Sequence, residues 1–273
     1  MRTLTAQEID RFRKRVYDYY LKYGRDLPWR KTGDPYKILI SEVMLQQTQV
    51  PRVIEKYSEF LNVFPDIRAL ASAPLSEVLG VWQGLGYNRR ALSLQKLAEV
   101  VVDQYDGMIP STVEELMELP GVGPATAHAV CTFAHNQPAV FIETNIRTVF
   151  IHHFFKERDD VRDSEIRELV AQTLVRENPR EWYYALMDYG VALKREHANP
   201  GRRSAHYQRQ GPFKGSNRQI RGMILRALIE RTRLTESQLM QQLDIAKESV
   251  KRNLHQLTRD GLVVKQGEYY SIA

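Results

Sequence analysis

Apolar residues recur at three- and four-residue spacing through most of the first 193 positions, whereas strand-like alternation is scarce before residue 260. Segments at about 6–22, 36–47, 51–62, 67–72, 75–81, 88–104, 112–118, 124–135, 143–155, 162–174 and 180–193 each read as a helix with an apolar face. Asp34-Pro35, Pro65-Asp66, Gly84-Leu85-Gly86, Asp106-Gly107 and Pro120-Gly121 separate them as turns. The pattern predicts an all-α domain over residues 1–193.

From Lys194 the periodicity lapses into Arg, Gly, Pro, His, Gln and Ser, so residues 194–216 read as a linker or a basic DNA-contacting loop. Helical spacing returns at about 217–232, 235–243 and 246–259, with Thr235 and Gln238 at capping-box spacing. Two short strands follow at 262–265 and 268–272 around Gln266-Gly267. Three helices and a hairpin predict a winged helix-turn-helix-like domain over 217–273. Its third helix carries Lys247, Lys251, Arg252 and Arg259, suited to phosphate or groove contacts; the alternative is a module that binds protein or only packs on its neighbour.

With 273 residues the chain is long enough for two domains, and 43% hydrophobic with 26% charged residues is a globular composition. Net charge is +6, but residues 194–273 carry 16 Lys/Arg against 7 Asp/Glu, while 1–193 carry 23 against 26. The basic excess is C-terminal, as expected of a phosphate-backbone footprint or, more blandly, of a solvated basic face. No apolar run is long enough to span a bilayer and the N-terminus begins no signal peptide, so a cytoplasmic or nucleoid location is expected, with no membrane partner. Cys131 is the single cysteine, which excludes intrachain disulfides and multi-cysteine metal sites. On an apolar helix it reads as a buried, inert thiol, and the histidines show no ligand spacing beyond the adjacent His152 and His153.

The chemistry concentrates around Leu119-Pro120-Gly121-Val122-Gly123-Pro124-Ala125, which opens an apolar helix. Gly121 and Gly123 are free to take positive φ and let backbone N–H groups approach an anion. Pro124 suits the first helical turn, and the amides and dipole of that helix favour a phosphate. Taken alone, the segment is equally an ordinary tight turn between helices.

Other segments narrow the reading. Leu27-Pro28-Trp29-Arg30 is followed by Ser41-Glu42-Val43-Met44-Leu45-Gln46-Gln47-Thr48-Gln49-Val50, then by Trp82-Gln83-Gly84-Leu85-Gly86-Tyr87, by Phe141-Ile142-Glu143-Thr144-Asn145, and by Ala185-Leu186-Met187-Asp188-Tyr189-Gly190. Together with the glycine turn, over about residues 7–193, they closely resemble the helix-hairpin-helix DNA glycosylases, and among them the MutY-type adenine glycosylases.

The resemblance implies a helix-hairpin-helix DNA glycosylase fold and a set of roles. Glu42 would protonate the departing adenine, and Glu143, with Asn145, would stabilise the cationic sugar and position the nucleophile. Gln47 would fill the gap left by an extruded base, supported by Gln46 and Leu45. Trp29, Arg30 and Asp188 would lie near the base pocket and Tyr87 near the opposite base, although Trp29 and Tyr87 read equally as core aromatics; Trp82 reads as core. Gly121, Val122 and Gly123 would clamp a phosphate.

The chain also departs from the family's pattern. Glu143 stands where Asp is usual and Thr144 where Gly is usual, so the carboxylate is displaced by roughly 1.5 Å, a bond length. Ala125 stands where the bifunctional lyases have Lys, so no Schiff base can form there. No cysteine follows the Asp188 helix, so a variant without the iron–sulfur cluster, and with no metal or other cofactor, is expected; Arg202, Arg203, His206 and Arg209 would hold that loop and meet phosphate. A winged-helix-like module replaces the C-terminal domain that inspects 8-oxoguanine.

The expected protein is a monofunctional, monomeric base-excision glycosylase acting on double-stranded damaged or mismatched DNA, with adenine opposite 8-oxoguanine or guanine as substrate. Two alternatives remain open: a glycosylase for uracil, mismatched thymine, hypoxanthine or an alkylated or crosslinked base, and a non-catalytic damaged-DNA-binding protein.

Overall fold

A computed structural model describes residues 2–209 and 211–273; Met1 and Gln210, in the expected first domain and basic segment, lie outside the described residues. Helices follow in chain order: α1 (Ala6–Tyr23), α2 (Pro35–Leu45), α3 (Val50–Val63), α4 (Ile67–Ser72), α5 (Leu75–Trp82), α6 (Arg89–Tyr105), α7 (Val113–Glu118), α8 (Pro124–His135), α9 (Thr144–Phe154), α10 (Asp163–Thr173) and α11 (Pro179–Glu196). The C-terminal part adds α12 (Asn217–Arg231), β1 (Arg233–Thr235), α13 (Glu236–Leu243), α14 (Lys247–Arg259), β2 (Val263–Gln266) and β3 (Tyr269–Ile272). Among the described residues, no helix is long and apolar enough to cross a membrane.

The chain resolves into two compact units that differ from the division expected along the sequence. Unit 1 comprises Met1–Ile38, Ser111–Met117 and Gly123–Arg209; unit 2 comprises Leu39–Pro110, Glu118–Val122 and Gln210–Ala273. The C-terminal module therefore shares a unit with the helices that carry the proposed wedge.

In unit 1, α11 packs against α9 and α1. Aromatic rings fill that core: Phe12 meets Phe150 at 5.3 Å and Trp182 edge-on at 5.9 Å, and Phe133 stacks on Tyr184 at 4.7 Å. Small residues let backbones close up. A Cβ on Gly190 of α11 would lie 2.5 Å from the Asn145 carbonyl oxygen, so only glycine permits this approach of α11 to the start of α9.

The segment expected as a loop or linker is partly built structure. α11 runs three residues past its expected end, and a 3-10 turn at Pro200–Arg203 buries Pro200 and Gly201 beside α9. Arg203 donates to the carbonyls of Phe155 at 2.7 Å, Ile151 and Lys156, and Val161 donates its N–H to the Arg203 carbonyl and accepts from the Ala205 N–H, both at 3.0 Å, bridging to Ser204. Arg203 thus ties the segment after α11 to the carbonyls at and after the end of α9, the loop-holding part of its expected role.

Unit 2 has its core around Phe60, Phe64 and Trp82, with Trp82 edge-on to Phe60 at 6.0 Å. Trp82 is fully buried, as its sequence context predicts. In the C-terminal module Val250, Leu254 and Leu257 form the buried face of α14, and the Thr235–Gln238 capping box opens α13 with bonds of 2.8 and 3.3 Å. A third strand, β1, was outside the sequence expectation. It pairs Leu234 with Tyr270 on β3, giving the sheet order β1-β3-β2. Three residues are too few to display alternation. α12 packs on α5 within the same unit.

Candidate active site

Two charge networks stand in unit 1. Glu143 is the N-cap of α9, and its Oε1 accepts from the backbone N–H of Asn145 at 2.6 Å and of Ile146 at 2.8 Å. Its Oε2 accepts from the Asn145 side-chain amide at 3.1 Å, and Asn145 Oδ1 accepts from Lys194 Nζ at 2.7 Å. A carboxylate fits this place because the helix N-terminus presents unpaired amides and positive dipole charge. The longer Glu side chain folds back onto its own helix.

Burial pushes the Glu143 carboxyl above the usual carboxylate range, opposed by the Ile146 and Asn145 N–H groups and by the positive charges of Lys194 and Arg147. Burial likewise pulls the Lys194 ammonium down, opposed by Glu143. Arg147 is held by a bidentate pair with Asp163 at 2.7 Å. Lys194 was not anticipated from sequence. Its signal was its place one turn beyond Gly190, on the same face of α11 and therefore toward Asn145.

Asp188 is only 2% exposed and accepts four bonds of 2.7–2.8 Å: from the Arg25 backbone N–H and Nε, and from both terminal nitrogens of Arg30. Burial alone would raise its carboxyl, but Arg30 and Arg25 hold it below the ordinary range. Arg30 also stacks over Tyr184 at 4.5 Å. Trp29, 4% exposed, lies in the core, the plainer of its two readings. The structure joins Arg30 and Asp188, both expected near a base pocket, in an ion pair that the sequence reading did not anticipate.

Glu42 lies half-buried on α2 in unit 2, between buried Ser41 and Val43. α2 ends at Leu45, two residues before its expected end, because Gln47 takes φ +57° and Arg90 claims the terminal carbonyls. Arg90 donates from one nitrogen to Val43, Met44 and Gln46 at 2.7–3.0 Å, and from the other to Leu85, Gly86 and Thr48 at 3.0–3.2 Å. Its guanidinium lies 5.3 Å from the Trp82 ring centroid and 5.5 Å from that of Tyr87. Burial lowers its pKa to about 10.

One arginine thus fastens the Gln46–Thr48 turn to the Gly84–Tyr87 turn, and both tips, Gln47 and Tyr87, are exposed. Tyr87 at 39% exposure is the surface rather than the core alternative. Sequence reasoning missed Arg90, one of a pair of adjacent arginines at a helix start with no periodic signature.

The glycine turn is asymmetric. Gly121 has φ +80° and a Cβ there would lie 2.7 Å from Ser93 Cβ, so both its conformation and its contact need glycine. Gly123 does not take the positive φ expected of it: at φ −94° it is an extended N-cap of α8 with nothing within 4 Å of its missing Cβ, so its value is an open approach to the amides of α8. Val122 is buried and its N–H donates to Leu119 at 3.2 Å. Pro124 occupies the first turn as predicted, and Ala125 is exposed there.

Cys131 is buried, donates to the Ser111 carbonyl at 3.4 Å, and is pushed up in pKa by burial. This donor set does not fit a four-cysteine cluster. Lys247, Lys251, Arg252 and Arg259 are exposed on α14, with Arg252 donating to Asn217 at 3.2 Å.

Within unit 1 a half-buried carboxylate caps a helix, and within unit 2 one arginine clamps two exposed turns; a glycine turn precedes α8. Residues 40–174 match the HhH-GPD superfamily of base excision DNA repair proteins, and 219–266 match a helix-turn-helix domain. The chain is 34% identical over 242 residues to the adenine DNA glycosylase of Mycolicibacterium smegmatis, covering 82% of this chain and 83% of that one. With the adenine DNA glycosylase of Buchnera aphidicola it shares 34% over 187 residues, 67% of this chain and 52% of the relative, so it spans about half of that protein. A thermostable thymine-DNA glycosylase structure superposes with a TM-score of 0.61 at 27% identity, over 68% of this chain and 87% of that one. The chain belongs to the HhH-GPD superfamily of base excision DNA repair proteins.

Proposed function

We propose that the protein is a monofunctional DNA glycosylase that removes adenine mispaired with 8-oxoguanine or guanine from double-stranded DNA, acting as a monomer. The observation that carries the reading is the Glu143 carboxylate fixed by the start of α9 and by the Asn145–Lys194 pair, in a chain similar to adenine DNA glycosylases. Glu42 donates a proton to a ring nitrogen of the flipped adenine, so the electron pair of the breaking N-glycosidic bond leaves on a neutral base. Glu143, ionised, stabilises the positive charge that develops on the sugar. Water then adds to the anomeric carbon and its proton returns to a carboxylate, giving an abasic site and free base.

Gln47, backed by Leu45 and Gln46, fills the space of the extruded base, and the Gly121–Gly123 turn holds a phosphate. Arg30 and Asp188 act by shaping the wall around Trp29 and Tyr184 rather than by touching the base. Ala125 supplies no amine, so the strand is not cut by β-elimination. The protein works without an iron–sulfur cluster, with Arg203 fixing the segment after α11. The basic face of α14 adds sequence-independent phosphate contacts.

A single-turnover panel tests this: adenine opposite 8-oxoguanine, guanine or thymine, and uracil or thymine opposite guanine, each assayed with and without alkali. Excision of adenine opposite 8-oxoguanine, with nicking only after alkali, is expected. Turnover confined to uracil or thymine, or damage-dependent binding with no product anywhere, would overturn it.

A further inference from the structure

The motifs account for the tips of the two Arg90-held turns but not for the cleft in which those tips stand. Unit 2 contains an open cleft of about 1360 Å³ whose lining includes Gln47, Tyr87 and Gly121 and, from α12, Asn217, Arg218 and Arg226. It exceeds the roughly 300–1,000 Å³ of small-molecule pockets, as a site for a polymer segment does. Arginines, side-chain amides and an exposed tyrosine ring are the groups that meet an unstacked base and its backbone.

Arg218 is held at the centre of this wall. One terminal nitrogen donates to the Tyr87 hydroxyl at 3.0 Å and the other to the Gly211 carbonyl at 2.7 Å, with the guanidinium 5.8 Å from the Tyr87 ring centroid. The first helix of the module therefore supplies most of its share of this wall, and the third adds only Gln256 and the Asp260 that follows it. Of the basic residues expected to contact DNA, Lys247, Lys251, Arg252 and Arg259, none lines the cleft. Arg226 is tied to Gln83 at 3.1 Å, and α12 is joined to the end of α14 by Arg221 and Asp260. The wall is thus anchored at both ends.

We infer that Arg218, on α12 of the C-terminal module, reads the base left unpaired in the opposite strand once its partner has been extruded. This rests on the proposed flipping by Gln47. A base beside the wedge loses its pairing partner and exposes polar edges. Tyr87 offers it a stacking face, and the guanidinium offers two parallel donors to the O6 and N7 of guanine, whereas 8-oxoguanine, with a hydrogen on N7, accepts from it at O6 alone. A fork fixed by Tyr87 and Gly211 before DNA arrives loses little freedom on binding.

The test is equilibrium binding by the full chain to duplexes carrying a tetrahydrofuran abasic analogue opposite guanine, 8-oxoguanine, cytosine or a second abasic analogue. These contain no base to excise at the flipped position, so the result is independent of which base the enzyme removes, and failure of the adenine assignment shows only in the excision panel. Wild type is expected to bind guanine opposite about 10- to 100-fold more tightly than no base, and 8-oxoguanine less tightly than guanine. Arg218→Ala should bring the guanine duplex down to the level of the cytosine one, both bases still stacked on Tyr87, while leaving the no-base affinity unchanged. Arg218→Lys should fail to restore the guanine preference, because an ammonium cannot present the planar fork. Tyr87→Phe keeps the ring, removes the hydroxyl that orients Arg218, and should give an intermediate loss even if the alanine variant folds poorly. Equal weakening of all four duplexes by Arg218→Ala would reduce the residue to a backbone contact and overturn the inference. So would unchanged binding, or a wild type indifferent to the opposite base.

Discussion

The α9–α11 region of unit 1 and the paired turns of unit 2 solve opposite problems with charged side chains. In the first, buried Asp188 is held by Arg25 and Arg30, and half-buried Glu143 by the backbone amides of Asn145 and Ile146 and by the Asn145 side chain, which Lys194 fixes in turn. In the second, a single arginine spends itself on backbone carbonyls, and the side chains it serves, Gln47 and Tyr87, remain outside. A region that must stabilise charge removes water and fixes dipoles in advance. A region that must enter a duplex fixes its backbone and leaves its tips exposed, Tyr87 being held through its hydroxyl by Arg218. Buried pairs are costly to break, whereas backbone clamps are costly mainly to the loops they hold.

The largest expected effect separates the two directly. Asp188→Asn leaves Arg30, 7% exposed in its side chain, without its counter-charge and should destabilise the protein by about 3–5 kcal/mol in urea unfolding at neutral pH. The sign follows from the depressed carboxyl: its stabilisation is present above the ordinary carboxylate range and lost as pH falls through the folded value. The gap between wild type and variant should therefore close on acidification. A gap that stays constant to strongly acid pH would mean that the pair's charge is not what stabilises.

A smaller and more local effect is expected on the other side. Arg90→Met leaves carbonyls of two turns unpaired and should cost ~1–3 kcal/mol. Its sharper signature is faster amide hydrogen exchange at Gln46–Thr48 and Gly84–Tyr87. Arg90→Lys should fail to protect both turns, since one ammonium cannot span the two sets of carbonyls that the guanidinium joins. Exchange unchanged in both variants would break the contrast between the regions.

Local signals were legible in the sequence and remote ones were not. The Thr235–Gln238 cap, the apolar face of α14 and Pro124 at the start of α8 all rest on short spacing. Lys194 meets Asn145 across 49 residues and Arg90 meets Val43 across 47, and neither partner carries a mark that singles out the other. Arg203 was legible only in part for a related reason: a basic run looks the same whether its guanidinium faces phosphate or ties a loop to a helix end. Gly123 shows the limit of the glycine argument, because an extended glycine matters for the space it leaves and not for its φ.

The central claim is that Glu143 works as an anion against the pull of burial. The pH dependence of single-turnover adenine excision, compared among wild type, Glu143→Gln and Lys194→Gln, tests it most directly. Protonation of a carboxyl with a raised pKa removes the anion as pH falls, so the wild-type acid limb should lie above the ordinary carboxylate range. Lys194→Gln should move that limb further up by deleting a charge that favours the anion, and Glu143→Gln should lower the plateau about 10²–10³-fold or more. A Glu143→Gln variant with the wild-type plateau, or an acid limb in the ordinary range that Lys194→Gln leaves in place, would contradict it.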